Sequence, residues 1–429
     1  MNLKVNLNKV NNYINNTIFF LLLIFPITLI IGTAASESVI IIVNFIFLII
    51  INRNIKIIEK AKELLFLLSI IWISLIINLI FSNDQSLSLS RNIFFFRYII
   101  FILAIFSLTE EKLKKIIMFW TIIISVVLFD VYFEFFNYRN LLGFVSSDST
   151  RIASFFGKEL IVGSFLIGIG FMCIGFSFQQ YNVNKKLFLL QILLLVLLII
   201  GIFITGERSN FLKGFFVTTV FFFFLRKKIL KNVKSIIILI FILSIFFLTT
   251  FFLSNSNKFN NLLSRYSVQI LDKIRNIGIK ETFNSSHHAA HYDTALKIFK
   301  DYPFFGAGNK NFRTECAKEK YYNPLIPRTN ERCSTHPHQI YFELLSEHGL
   351  VGTITILFVF FYIILKNLKK FMINNNYVHL ASMLYLIATF FPLIPSGSFF
   401  NSYSASVFWL NFGIMNYYLY INSDTNLKK

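Results

Sequence analysis

Residues 334–352 read STHPHQIYFELLSEHGLVG, a polar stretch that runs directly into hydrocarbon side chains. Pro337 suits the first turn of a helix, with Ser334 or Thr335 just upstream as a cap. His338, Phe342, Leu345 and Gly349 then recur at helical spacing on one face. An imidazole in that first turn sits at the positive end of the helix, which disfavours its protonated form. Held neutral at a pH of about 7, it can take a proton from a hydroxyl. Gly349 is expected to stop the short helix, and the apolar run from Leu350 to begin a new one.

Two more segments offer cations. In TGERSNF (205–211), Gly206 is expected to end one helix and Ser209 or Asn210 to cap the next. That leaves Arg208 in a tight hairpin beside a helix start, where a guanidinium and free N–H groups make a phosphate-binding corner. Glu207 reads as its orienting partner. Arg151 opens RIASFFGKEL (151–160) ahead of another apolar run. Two arginines from different hairpins can clamp a diphosphate where other proteins use a metal ion. The bland alternative is a pair of interfacial arginines touching lipid headgroups. A rival chemistry is zinc: Cys333, His336 and His338 form C-x-x-H-x-H, and His287 and His291 are an i, i+4 pair, although Pro337 strains adjacent ligation.

These groups need elements to hold them. The chain has 429 residues, 55% of them hydrophobic, and a mean hydropathy of +0.65, more apolar than water-soluble packing uses. Twelve apolar runs recur near 17–34, 37–52, 63–82, 92–108, 115–136, 159–179, 187–205, 209–225, 234–253, 350–366, 376–395 and 402–421. Each is close to the ~20 residues that cross a bilayer as helix. The expected fold is an all-α polytopic membrane protein with about twelve transmembrane helices: 1–253 carries nine, 254–349 is one large loop, and 350–429 carries the last three. The segments NRNIKIIEKAK, EEKLKK, NKK, RKKILKNVK and KNLKK fall on alternate connections. By the positive-inside rule they place both termini in the cytoplasm and the long loop outside. The net charge of +20 then serves topology and gives no reason to invoke nucleic acid.

Cys316 and Cys333 both lie in the long loop, free to be a disulfide in an oxidising compartment or two thiols. Cys173 reads as packing inside a helix. The 55 phenylalanines, FFFF at 221–224 among them, read as lipid-facing. Asp130 and Glu134 sit a turn apart near the outer end of the fifth run, and Arg97 lies inside the fourth. The polar groups collect at one side of the membrane rather than at its midplane. That and the lack of an internal repeat argue against a transporter or flippase for lipid-linked sugars.

The sequence resembles the bacterial O-antigen ligase and O-antigen polymerase superfamily. HQIYFELLSEHGLVG (338–352) fits that family's H-N-x-Y-L-x-x-L-x-E-x-G-x-x-G signature through His338, Tyr341, Leu345, Glu347, Gly349 and Gly352, with Gln339 for the usual Asn and Phe342 for the usual Leu. ALKIFKDYPFFGAGNKNF (295–312) resembles its Pro and Gly-x-Gly segment through Pro303, Gly306, Gly308 and Phe312, and TGERSNF its small-residue and Arg motif. The similarity covers about 150–360 by motif. Where many members carry an arginine a dozen residues before the Pro segment, this chain has HHAAHYD, so His291 stands in, or Arg313 or Arg265 supplies the charge.

The resemblance implies a metal-independent, cofactor-free, inverting glycosyltransferase of GT-C-like architecture with a mostly helical periplasmic loop, in the bacterial inner membrane. The donor would be a glycan on undecaprenyl diphosphate and the acceptor a hydroxyl, that of lipid A core in a ligase. A polymerase, or a protein O-oligosaccharyltransferase, would differ only in acceptor. His338 would be the general base, Arg151, Arg208 and Arg313 the diphosphate contacts, and His336, Glu207, His291 and Tyr341 supporting groups.

Overall fold

The computed structural model describes residues 14–148, 150–180, 185–230, 237, 257–392 and 394–421, and all regular structure among them is helical. Six of these helices are long and apolar enough to cross a membrane: Lys62–Ile80, Gln85–Phe106, Glu110–Asn137, Val162–Gln180, Leu187–Ile204 and Ile340–Asn374. The pair Ile14–Leu23 and Phe25–Ile31 makes a seventh if its 48° bend lies within one span; Pro26 in the first turn of the second half explains the bend. The chain is a multi-pass membrane protein. The expected runs at 37–52, 209–225, 376–395 and 402–421 fall on Thr33–Ile49, Arg208–Leu230, Tyr377–Thr389 and Ser402–Tyr420, helices that do not reach the same length and hydropathy. The run at 234–253 lies outside the described residues apart from Ile237.

Phenylalanine departs from the expectation of a lipid-facing residue. Phe45 and Phe66 are exposed, but Phe25, Phe47, Phe101, Phe165 and Phe221 are wholly buried. Phe360 alone meets Phe390, Phe399, Phe408, Trp409 and Phe412. In lipid, helix association relies on close van der Waals packing, and flat rings interlock well.

The longer helices of the long loop lie in its first half, at Asn257–Leu263, Gln269–Asn284 and His287–Asp301, the first two joined by a helical turn at Ser264–Val268. From Tyr302 to Gln339 it runs through turns and one four-residue helix, Phe312–Glu315. There Cys316 and Cys333 form a disulfide across 5.2 Å between Cα atoms, and buried Arg332 donates to the carbonyls of Cys316 and Ala317 at 2.9 and 3.2 Å.

What seats this irregular half is a break in Ile340–Asn374. Gly349 has φ 62° and ψ −164°, which interrupts the helix where the sequence expects it to end. A helix break strands backbone donors and acceptors. The loop supplies partners for them: Leu350 and Val351 N–H donate to the carbonyls of Pro303 and Phe304 (2.8 and 3.0 Å), and Ala307 and Gly308 N–H donate to those of Ser346 and Glu347 (2.9 and 3.0 Å). The buried Glu347 carboxylate accepts from Lys310 and Phe312 N–H at 2.8 and 3.1 Å. Buried Asn78, on Lys62–Ile80, donates to the carbonyls of Phe305 and Glu347 and accepts from Asn309 N–H. Two backbones this close exclude side chains. A Cβ on Gly306 would lie 2.3 Å from the Glu347 carbonyl carbon, and one on Gly349 would lie 2.5 Å from that of Phe304.

Gly306→Ala should therefore destabilise the protein more than Gly143→Ala. Both glycines have positive φ, but only Gly306 has backbone within reach of a Cβ. Strain alone costs ~1–3 kcal/mol, so the expected result is a thermal unfolding temperature clearly lower for G306A than for G143A in detergent. Equal temperatures would show that the close approach is not limiting.

Candidate functional site

At the end of the helical bundle that carries the long loop lies a cavity of about 520 Å³. It is built from three connections and one irregular segment.

The connection 138–161 folds over two buried carboxylates at the end of Glu110–Asn137. Asp130 accepts from Leu141 N–H (2.7 Å) and the Ser154 hydroxyl (2.6 Å), and Glu134 accepts from Ser154 N–H (2.7 Å). These acids shape the loop that presents Arg151. Arg151 donates to the Leu160 carbonyl at 2.6 Å, and its Nε is enclosed without a partner.

Arg208 lies in the next connection. Gly206, with φ 74°, turns the chain, and a Cβ there would sit 2.6 Å from the Thr150 carbonyl oxygen. Its missing side chain lets the two arginine-bearing hairpins touch. The helix begins at Arg208 itself, two or three residues earlier than capping by Ser209 or Asn210 requires. Glu207 does not orient Arg208. Its buried carboxylate instead accepts from Gly163 N–H (2.7 Å) and the Asn210 side chain (2.5 Å), joining two helix starts.

Arg265, from the first helical part of the loop, completes the group. Its Nε donates to the Gly206 carbonyl (2.9 Å) and its Nη1 to the Thr150 hydroxyl (3.1 Å), 3.7 Å from Asp148, while Arg208 donates to the Arg265 carbonyl (3.2 Å). Arg151, Arg208, Arg265 and Lys213 all line the cavity, with Glu207 as the one acid in its wall among the described residues. The surplus is positive and suits a multiply charged anion. Arg313 does not line it; this guanidinium faces the Thr335 carbonyl at 3.5 Å.

The fourth wall is histidine. His338 is not in a first helical turn. The helix starts at Ile340 with Gln339 as its cap, the Gln339 side-chain oxygen accepting from Tyr341 and Phe342 N–H (2.7 and 3.1 Å). A side-chain carbonyl caps whether it belongs to Asn or Gln. His338 stands just before it at φ 60°, fixed by Ser396 N–H on its carbonyl (2.8 Å) and by its Nε2 against the Ser334 hydroxyl (3.0 Å). His336 lies 4.2 Å away between ring centres, His291 5.2 Å and His288 5.9 Å. His336, His338, His287 and His288 line the cavity; buried His291 backs them. The expected supporting group Tyr341 lies outside, its hydroxyl donating to the Phe390 carbonyl. The zinc reading loses its cysteine to the disulfide, and no three His, Cys, Asp or Glu among the described residues are arranged to hold a metal ion.

Burial lowers the pKa of every one of these histidines, that of His288 and His336 to about 3 and that of His291 to about 4, with neighbouring imidazoles adding to the effect. His338 moves in the same direction, from burial first and His287 second. The cluster is neutral at ordinary pH.

Sequence reading weighed Arg265 only as an alternative and missed Lys213 and the Pro395–Ser398 turn. Their signals were a lysine inside an apolar run and a Pro-Ser-Gly-Ser interruption between the last two runs. Glu343 holds that turn, accepting from the Ser398 hydroxyl and Phe399 N–H.

Fold and cavity together define a multi-pass membrane protein with a cationic, histidine-walled pocket at one end of its helices. Residues 193–357 match the family model of O-antigen ligase, which supports placing the chain in the O-antigen ligase and polymerase superfamily, whose members are glycosyltransferase-type enzymes. The matched segment holds Arg208, Arg265 and His338; Arg151 precedes it. No curated protein matches the chain.

The half-buried and buried histidines yield a pH dependence. Folded, they bind protons only near pH 3–4; unfolded, they bind near 6.5. The unfolded state therefore binds more protons below about 6.5, and stability is lost as pH falls through that range. The unfolding temperature should drop between pH of about 7.5 and about 5, and His288→Gln should flatten the slope. A slope unchanged in His288→Gln would mean that His288 is not held neutral.

Proposed function

We propose that this protein is a glycosyltransferase of the O-antigen ligase kind, moving a glycan from a lipid-linked diphosphate to an acceptor hydroxyl without a metal ion. The observation that carries the reading is the meeting of Arg151, Arg208, Arg265 and His338 on one cavity. In this reading about twelve spans cross the bacterial inner membrane, both termini are cytoplasmic and the cavity opens to the periplasm. The donor is undecaprenyl diphosphate bearing the glycan, its tail among the helices. The acceptor is lipid A core.

Chemically, the acceptor hydroxyl attacks the anomeric carbon and loses its proton to His338. The bond from that carbon to the phosphate oxygen breaks, and its electron pair leaves with the lipid diphosphate. Attack opposite the leaving group inverts the anomeric centre. The arginines stabilise charge growing on the diphosphate, in a site where their donors are fixed beforehand. If His338 donates Nε2–H to Ser334, its Nδ1 lone pair is the base.

His338→Ala should lower glycan transfer by ~10²–10⁴-fold, the usual contribution of a general base, while the protein still inserts in the membrane. Near-normal transfer in a reconstituted assay would remove His338 from the mechanism. Arg208→Ala should cost ~10²–10³-fold, as loss of one charge-stabilising donor does elsewhere. Removing the gene and running lipopolysaccharide on a gel then separates the acceptors: unattached lipid-linked polymer marks a ligase, and core bearing a single repeat marks a polymerase.

A further inference from the structure

A second cavity, about 560 Å³, opens on the flank of the bundle between Thr33–Ile49 and Gln85–Phe106. It is separate from the histidine-walled pocket, but the two flank one helix start: Ser402 lines this cavity, Tyr403 and Ser404 the other. Beside it Gln85–Phe106 is broken at Phe94 and Phe95. The break frees the carbonyls of Asn92 and Ile93, and the Trp72 indole N–H answers both at 3.2 and 3.1 Å; Asn44 answers that of Arg97 at 2.7 Å.

Two kinds of surface meet here. Ile41, Phe45, Leu48 and Phe94 are apolar and 44–67% exposed. Against them stand Arg91 and Arg97, with Glu37 as the sole acid in the lining among the described residues. Arg97 takes that carboxylate bidentately, at 3.0 and 3.2 Å, and also donates to the Phe94 carbonyl and the Tyr98 hydroxyl. Arg91 reaches Glu37 only at 3.9 Å, and its Nε is enclosed without a partner. One carboxylate thus faces two guanidinium groups, and Arg313 and Lys310 near Arg91 add positive potential. An enclosed donor without an acceptor is unfavourable unless a ligand supplies one.

We propose that this groove binds a phosphate-bearing lipid of the bilayer, its phosphate on Arg91 and an acyl chain along Ile41, Phe45 and Leu48. The unmatched guanidinium, planar and forked, selects the phosphate. The exposed apolar wall running from it selects a chain over a free anion. The site does not depend on the glycan-transfer reading and stands if that reading fails.

The test uses the full-length protein in detergent, titrated with phosphatidylglycerol, diacylglycerol or inorganic phosphate and read by native mass spectrometry. Phosphatidylglycerol should bind at least about fivefold more tightly than either other probe, the factor one arginine contributes at an anionic lipid surface. Arg91→Gln should erase the preference over diacylglycerol with no change in unfolding temperature, because Arg97 keeps Glu37. Ile41→Trp, which fills the groove and alters no charge, should weaken phosphatidylglycerol in parallel. Equal binding of diacylglycerol overturns the phosphate contact, equal binding of inorganic phosphate overturns the chain contact, and wild-type binding in both variants overturns the site.

Discussion

The backbone exchange at the Gly349 break is the constraint from which the rest of the structure follows. A helix that stops and restarts inside a membrane protein leaves N–H and C=O groups that neither lipid nor neighbouring side chains satisfy cheaply. Here the Pro303–Gly308 segment answers them with four backbone hydrogen bonds, the Asn78 side chain binds the Phe305 carbonyl within it, and the Glu347 carboxylate holds Lys310 and Phe312 just beyond it. The loop is thereby registered against both Lys62–Ile80 and Ile340–Asn374. That registration carries His287–Asp301 to the cavity and sets His291 against His338.

A second close approach, at Gly206, does for the cations what Gly349 does for the histidines. Like charges brought together repel, and guanidinium groups gather only where backbone carbonyls hold them. Arg151 is tied to the Leu160 carbonyl, Arg265 to that of Gly206 and Arg208 to that of Arg265. Each arginine is thus spent partly on the fold while still lining the cavity. The flank groove follows the same logic in another place, where Trp72 and Asn44 answer carbonyls at and beside a broken helix and one guanidinium reaches a shared acid only at 3.9 Å.

The motif residues therefore divide by task. Glu347, Gly306, Gly308 and Gly349 belong to the clasp, where they accept amide protons or make room for backbone. Gln339 caps a helix. Of the signature stretch, only His338 and Ile340 line the cavity, and His338 brings the only polar side chain, together with its neighbour His336. A linear motif that reads as one functional unit is, in three dimensions, a docking device with a single imidazole at its edge.

Much of the helical framework was written in the chain, because hydrocarbon runs of bilayer length have few alternatives to membrane helices. The stop at Gly349 was legible for the same local reason, a residue without Cβ at the end of a periodic stretch. What the sequence by itself could not determine was contact between distant residues. The partition of phenylalanine between core and lipid depends on helix rotation. The exclusion of Arg313 and the entry of Arg265 and Lys213 depend on how the long loop and a helix lie. The left-handed backbone of His338 depends on Ser396, which is remote in sequence. These were decided by tertiary structure, since the energy that fixes each one comes from a partner that no local pattern names.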